Sequence, residues 1–235
     1  MLLPFKEFAD FFSKNDVNID ENMYNLYNKY AEMLVEWNEK INLTAITSAE
    51  GITEKHFLDS VLLTKFAEIP PSAEVVDIGT GAGFPGIPLK ILRGDLKLTL
   101  IDSLTKRVGF LQAVSDELKL DANCVHSRAE EASKMPVFRE KFDFATARAV
   151  AALPVLCEYC LPYVKVGGVF AAMKGPSEDV KSAFSAISVL GGKVEKVVDY
   201  ALPSGDARKL ILVKKISQTS IKYPRNGGQI SKKPL

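Results

Sequence analysis

The residues with the clearest chemical purpose lie between Val75 and Gly86. There Val-Val-Asp-Ile-Gly-Thr-Gly-Ala-Gly-Phe-Pro-Gly sets an acid, Asp77, two positions ahead of a run of glycines. Glycines let a chain turn sharply and bring its backbone against a ligand, so a strand that enters such a loop and leaves as a helix reads as a nucleotide-type site. Gly81, Gly83 and Gly86 satisfy G-x-G-x-x-G, the dinucleotide pattern. Asp102, about twenty residues on, is placed to take both ribose hydroxyls of an adenosine. One reading is therefore an NAD-dependent oxidoreductase. Against it stand Asp77, whose charge would repel a pyrophosphate, and the lack of an obvious hydride-handling His or Lys beside a strand end. His56, Asp59 and Ser60 are hydrolase residue types, but they lie within about a turn and a half of one helix, whereas a triad draws its members from separate elements. A capping or orienting role suits His56 better. Cys157 and Cys160 sit inside a helix with Cys124 far off in sequence, which supplies neither four zinc ligands nor an activated thiolate; packing is expected, and no metal.

The elements that must hold these groups follow from hydrophobic periodicity. Phe5, Phe8 and Phe12 are spaced for a helix. So are Met23, Leu26, Tyr27, Tyr30, Leu34 and Trp37 behind an Asp20 N-cap; the aromatic stripe is a core face. Gly51 to Phe66 predicts a third helix, closed by Pro70-Pro71. Short apolar runs then alternate with helical stretches: Val75 to Ile78, Leu96 to Ile101, Cys124 to His126, Phe142 to Thr146, Val169 to Met173, Val194 to Val198 and Leu210 to Val213. That rhythm predicts an α/β fold with a mostly parallel seven-stranded sheet. The last two runs are too close for a helical crossover and predict an antiparallel last strand. Three segments result: a helical N-terminal extension over 1–70, an α/β domain over 71–215 and a tail over 216–235. Glu130, after the third strand, and Arg148, ending the fourth, fall at the strand edge where open α/β sheets hold ligands. For Arg148, between Ala147 and Ala149, a site role and a buried pairing with a carboxylate such as Asp77 are equally open.

The 30 basic and 29 acidic residues give a net charge of +1, which makes no whole-chain case for a polyanionic partner. By segment the balance is uneven: 6 basic and 12 acidic groups in 1–70, 18 and 17 in 71–213, and 6 and none in 214–235. The basic tail reads as a solvated end or as an arm contacting RNA phosphate, with Lys222, Tyr223 and Arg225 offering charge beside a stacking ring. Lys174, ending the fifth strand, and His56 are lesser candidates for the same contact. The longest apolar stretch, around Ala149 to Val166, is broken by Pro154, Glu158, Pro162 and Lys165, so no membrane span is expected. The N-terminus lacks a signal-peptide pattern and three cysteines make no disulfide framework, which together predict a cytoplasmic chain. A monomer is the expectation.

D-x-G-x-G-x-G resembles motif I of the class I (Rossmann-like) methyltransferases that use S-adenosylmethionine, where an acid near the loop faces a cationic cofactor. The likeness then sharpens. Val35-Glu36-Trp37-Asn38 with Ile41-Asn42-Leu43-Thr44, Lys55-His56-Phe57-Leu58-Asp59-Ser60, D-I-G-T-G-A-G-F-P-G, Asp102-Ser103-Leu104-Thr105-Lys106-Arg107, Arg128-Ala129-Glu130, Thr146-Ala147-Arg148-Ala149 and Lys222-Tyr223-Pro224-Arg225 together resemble the RsmG (GidB) family. The match runs nearly end to end; only Asn226-Gly227-Gly228-Gln229 departs from that family's more basic ending. The resemblance implies methylation of nitrogen 7 of the guanine conventionally numbered 527 in bacterial 16S ribosomal RNA, free or within the small ribosomal subunit, with S-adenosylmethionine as methyl donor. It also implies that Asp77, Gly79, Gly81, Gly83 and Phe84 serve the cofactor from the loop, Asp102 and Leu104 its ribose and adenine side, and Ala129 and Glu130 its adenine, with Arg148 closing the site. A non-catalytic RNA-binding protein on the same scaffold is the rival from another class.

Overall fold

The computed structural model describes residues 2–235. Two helices open the chain, α1 (Phe5–Ser13) and α2 (Glu21–Ile41); the Asp20 carboxylate accepts from the Met23 amide at 2.7 Å and so caps α2. The helix expected from Gly51 to Phe66 is not one continuous α-helix. It starts as α3 (Ala49–Gly51), widens into a π-helical stretch over Ile52–Leu58, and resumes as α4 (Asp59–Val61) and α5 (Leu63–Phe66). The apolar residues remain on one side, but the wider turns change which carbonyls are free, and such turns gather at functional sites.

The alternating region follows: β1 (Glu74–Ile78), α6 (Gly86–Leu92), β2 (Lys97–Asp102), α7 (Thr105–Glu117), β3 (Asn123–His126), α8 (Ala129–Ala132), β4 (Phe142–Arg148), α9 (Leu153–Cys160), β5 (Val164–Lys174), α10 (Phe184–Val189), β6 (Gly192–Ala201) and β7 (Ala207–Lys215), with α11 (Gly227–Lys232) beyond the sheet. The seven strands stand in the order β3-β2-β1-β4-β5-β7-β6, all neighbours parallel except that β7 runs antiparallel to β5 and β6. The order reverses between β1 and β4, which opens a crevice at their carboxyl ends.

Strand alternation divides the interior. Val75, Leu98, Leu100 and Phe144 face the N-terminal helices, α6 and α7; Val76, Ile101, Ala145 and Phe170 face α9 and α10. The aromatic stripe of α1 and α2 is core, as expected: Phe8, Phe12, Tyr27 and Tyr30 are wholly buried. It also carries two polar handles, since the Tyr27 hydroxyl donates to the Pro88 carbonyl at 2.8 Å and the Tyr30 hydroxyl to that of Ala82. The N-terminal extension thereby props the glycine loop from below.

The 216–235 segment is docked rather than free. Arg139 donates to the carbonyls of Thr219, Ser220 and Tyr223, the buried Lys215 ammonium reaches Leu161, Thr219 and Glu140, and Ile230 is fully buried. Arg225, expected to contact RNA, has a partner within the chain: its guanidinium forks the carboxylate of Glu158, at 2.6 Å from Nη2 to Oε2, and Glu158 has no exposed surface. A carboxylate in that position requires a permanent partner. Lys222, stacked on the Tyr223 ring, and Lys232 remain exposed.

Candidate active site

The glycine loop is held by its own backbone and two buried acids. The Gly79 and Thr80 amides donate to the Ile101 carbonyl, Gly83 and Phe84 to that of Thr80, Gly86 to Asp77 Oδ2 at 2.9 Å, and Gly81 to Asp102 Oδ2 at 3.0 Å. These donors are therefore committed within the protein. A pyrophosphate needs such amides free, which counts against the dinucleotide reading. Two of the glycines are required sterically as well as by positive φ. A Cβ on Gly79 would lie 2.9 Å from Val150, and one on Gly83 would lie 2.4 Å from Ile87 and 2.8 Å from the Tyr30 hydroxyl.

Asp77 does not line the cavity. It is wholly buried beneath the loop, where Oδ2 accepts from the Thr80 hydroxyl at 2.6 Å and from Gly86, while Oδ1 has no hydrogen-bond partner. Burial raises its carboxyl to about 6, against the lowering pull of those bonds. Its reach to a ligand is through charge alone. Gly81, Gly83 and Phe84 likewise lie outside the cavity wall. The Phe84 ring packs under the His56 imidazole, centroids 4.4 Å apart, with the Arg148 guanidinium 5.0 Å from its centre.

Two cavities open at the crevice. One, of about 400 Å³, is lined by Gly79, Asp102, Leu104, Ser127, Ala129, Glu130 and Tyr159, with Arg107 and Arg128 at its rim. Asp102 is nearly buried and fixed by the Gly81 and Leu104 amides, which leaves part of its acceptor capacity for a ligand. Leu104, an apolar side chain 51% exposed, stands beside it as a surface for a flat ring. An adenosine-bearing cation fits this set: a paired-hydroxyl acceptor, an apolar platform, a second acid in Glu130, and a place at Gly79 that any side chain would fill. The other cavity, of about 410 Å³, is lined by Lys55, His56, Asp59, Arg148, Lys174, Glu178 and Arg208 among others. Ala149 is the residue common to both walls, and it holds a positive φ of 55° at the turn leaving β4.

Arg148 does have a buried carboxylate partner, which is compatible with a site role as well. Its carboxylate partner is Asp59, not Asp77: Nη1 donates to Asp59 Oδ2 at 3.0 Å and to the Lys55 carbonyl at 3.1 Å, and Nη2 lies 3.4 Å from His56 Nδ1. His56 Nε2 meets the Thr44 hydroxyl at 2.8 Å, and Thr44 is set by its amide donating to Asn38 Oδ1. That explains the Asn38 and Thr44 motif as a brace for the histidine. Burial first, and the Arg148 charge second, hold His56 down at about 3, so it is a neutral, orienting ring and not a cationic RNA contact. Lys174, read as a contact for RNA phosphate or for solvent, is bonded to the Ala151 carbonyl at 2.5 Å and to Glu178 at 2.8 Å. Cys157 and Cys160 are buried, and burial pushes both thiols up. Among the described residues no cluster of metal-ligating side chains occurs, and no helix is long and apolar enough to cross a membrane. Sequence reasoning left Asp59 without a role and missed Tyr200, Arg208 and Glu178; the only signal was Asp59's place in the His56 to Ser60 motif.

Fold and site together define a class. A SAM-dependent methyltransferase from Aquifex aeolicus shares the fold at a TM-score of 0.54, covering 72% of this chain and 94% of its own at 19% identity. The precorrin-6y C5,15-methyltransferase of Geobacter metallireducens GS-15 does so at 0.52, covering 72% and 90% at 17% identity. The architecture is that of the class I S-adenosylmethionine-dependent methyltransferases. The family is narrower: the model of GidB, rRNA small subunit methyltransferase G, matches residues 23–211. The ribosomal RNA small subunit methyltransferase G of Alkaliphilus metalliredigens is 51% identical over 222 residues, 93% of each chain. That of Clostridium botulinum (strain Loch Maree / Type A3) is 49% identical over 229 residues, 95% of this chain and 96% of its own. The chain belongs to the rRNA small subunit methyltransferase G family.

Proposed function

We propose that this protein transfers the methyl group of S-adenosylmethionine to nitrogen 7 of a guanine in 16S ribosomal RNA, acting as a cytoplasmic monomer on the RNA free or within the small subunit. The observation that carries the reading is the pair of cavities meeting at Ala149: an acid-lined one suited to an adenosine and a second, rich in cationic side chains, suited to a nucleotide. Bound S-adenosylmethionine supplies an electrophilic methyl on a sulfonium. Asp102 holds its ribose, Leu104, Ala129 and Glu130 frame its adenine, and the Asp77 charge beneath the loop favours a cation.

Nitrogen 7 of guanine carries an in-plane lone pair and no proton, so the reaction needs no base. The site agrees with this, since His56 is locked between Thr44 and Arg148 with its basicity suppressed. The protein's task is to take the base from its stack and align the lone pair, by proximity and orientation. Arg148 orients the substrate. Its Nε–H and one Nη2–H have no acceptor among the described residues, and they suit the 6-oxo group beside the reacting nitrogen. The test is to offer labelled S-adenosylmethionine and the protein to small ribosomal subunits from cells lacking the enzyme and to map the label. Label on one guanine at nitrogen 7 is expected; label elsewhere, or none, overturns the proposal.

A further inference from the structure

Asp59 sits at the start of α4, 2% exposed, and collects donors from three distant parts of the chain. Arg148, ending β4, reaches Oδ2 at 3.0 Å; the Tyr200 hydroxyl, from β6, reaches Oδ1 at 3.0 Å; Arg208 Nε, from β7, stands 3.6 Å from the same oxygen. We infer that Asp59 is a positioning residue for methyl transfer, fixing Arg148 in the substrate cavity through a network that Tyr200 and Arg208 of the C-terminal hairpin complete. The inference rests on the proposed reading of that cavity as the base site.

A purely structural ion pair would use up the guanidinium. Here Arg148 gives its Nη1 protons to Asp59 and the Lys55 carbonyl, with its guanidinium carbon 5.0 Å from the Phe84 ring centre, while Nε and part of Nη2 have no acceptor among the described residues and remain for a ligand. The pairing holds one edge of the guanidinium and presents the other. Removing the Asp59 charge would leave Arg148 on a cavity wall with three further cations, Lys55, Lys174 and Arg208, and only neutral groups at its own bonding distance, so its hold on that position would loosen. Tyr200 closes the arrangement. Burial, and then the nearby Asp59 charge, push its phenol well above the usual range, so it stays a donor. Through it the hairpin and the N-terminal helices are tied to one carboxylate, although Asp59 and Tyr200 are 141 residues apart.

The experiment is a double-mutant cycle read by single-turnover methylation of unmethylated small subunits, with S-adenosylmethionine affinity measured in parallel by calorimetry. Tyr200→Phe should slow methyl transfer about three- to tenfold, since it removes one of several donors that hold the Asp59 carboxylate and acts only through it, and Asp59→Asn roughly ten- to a hundredfold, the range of a charged hydrogen bond. Cofactor affinity should stay within about twofold in both. In an Arg148→Ala background each substitution should cost less than about twofold more, because its effect passes through Arg148. Unchanged rates in Tyr200→Phe and Asp59→Asn overturn the inference. So do losses that multiply undiminished in the Arg148→Ala background, the outcome of a role in folding alone. Tyr200→Phe removes a single hydroxyl, so it decides the matter by itself if Asp59→Asn does not fold. Wild-type protein that labels no guanine would instead sink the proposed function, and this inference with it.

Discussion

At the residue scale, three acids and bases of the site each carry a test. Asp102 binds the ribose in our proposal while also taking the Gly81 and Leu104 amides. Asp102→Ala should weaken S-adenosylmethionine by ~1.5–3 kcal/mol, the worth of charged hydrogen bonds; unchanged calorimetric affinity in a folded variant would remove it from the site. Asp77 is held at about 6 from an ordinary 3.8, so the fold opposes its ionisation. The stability it contributes is complete below pH 3.8 and is lost as the pH rises through 6. Asp77→Asn keeps an acceptor for Thr80 and Gly86, and should match or exceed wild-type stability at pH 8 while binding S-adenosylmethionine more weakly. The neutral product S-adenosylhomocysteine should scarcely notice; equal losses for both would show that the charge has no role. His56 runs the other way, held near 3 from 6.5. Its stabilisation is complete above pH 6.5 and drains as the pH falls towards 3, by a few kcal/mol at most. Urea unfolding should show that decline in the wild type and a flatter one in His56→Asn; parallel curves would place the titration elsewhere.

At the scale of elements, the strands were legible because buried parallel strands read as apolar runs, and the Asp20 cap and the closing hairpin were legible from local chemistry. Other features were not. The π-helical turns widen the helix over only seven residues, and the apolar positions from their last residue onward, Leu58, Val61 and Leu62, keep the three-and-four spacing of an α-helix, so Gly51 to Phe66 read as one continuous helix. β5 begins at Val164, five residues before its apolar run, because Lys165, Gly167 and Gly168 hide the extended backbone ahead of Val169. The pairing of Arg148 with Asp59 spans 89 residues, and that of Arg225 with Glu158 spans 67; composition records charges and not their partners. The tail's six positive charges suggested an arm, whereas two of them, Lys215 and Arg225, fasten it down. Arg225→Ala should therefore cost about 3 kcal/mol by stranding the Glu158 carboxylate, towards the lower end of the usual range since Arg225 is itself partly open. Adding Glu158→Gln should recover most of the loss. An unfolding midpoint equal to wild type in the single variant would show the pair to be dispensable.

At the scale of the molecule, the N-terminal helices, the sheet and the tail converge on one crevice. The site depends on distant parts: Tyr30 under the loop, Thr44 behind His56, Tyr200 behind Asp59. Such a scaffold suits a reaction in which placement does the work. Substituting 7-deazaguanine at the target replaces the nucleophilic nitrogen by carbon, and should abolish methyl transfer to an RNA that still binds; label transfer to the deaza substrate would refute nitrogen 7 as the acceptor.

Gly227, at the head of α11, packs so closely on the cofactor side that a Cβ there would lie 2.3 Å from Glu130 Oε1. A chain is made from its N-terminus, and domains form as they emerge. The glycine loop, Asp102 and Glu130 itself are all made well before the strip that buttresses Glu130. The protein thus gives Glu130, one residue of that cavity's lining, its final backing only when α11 docks, so a chain still being made holds the acid without the support that fixes it.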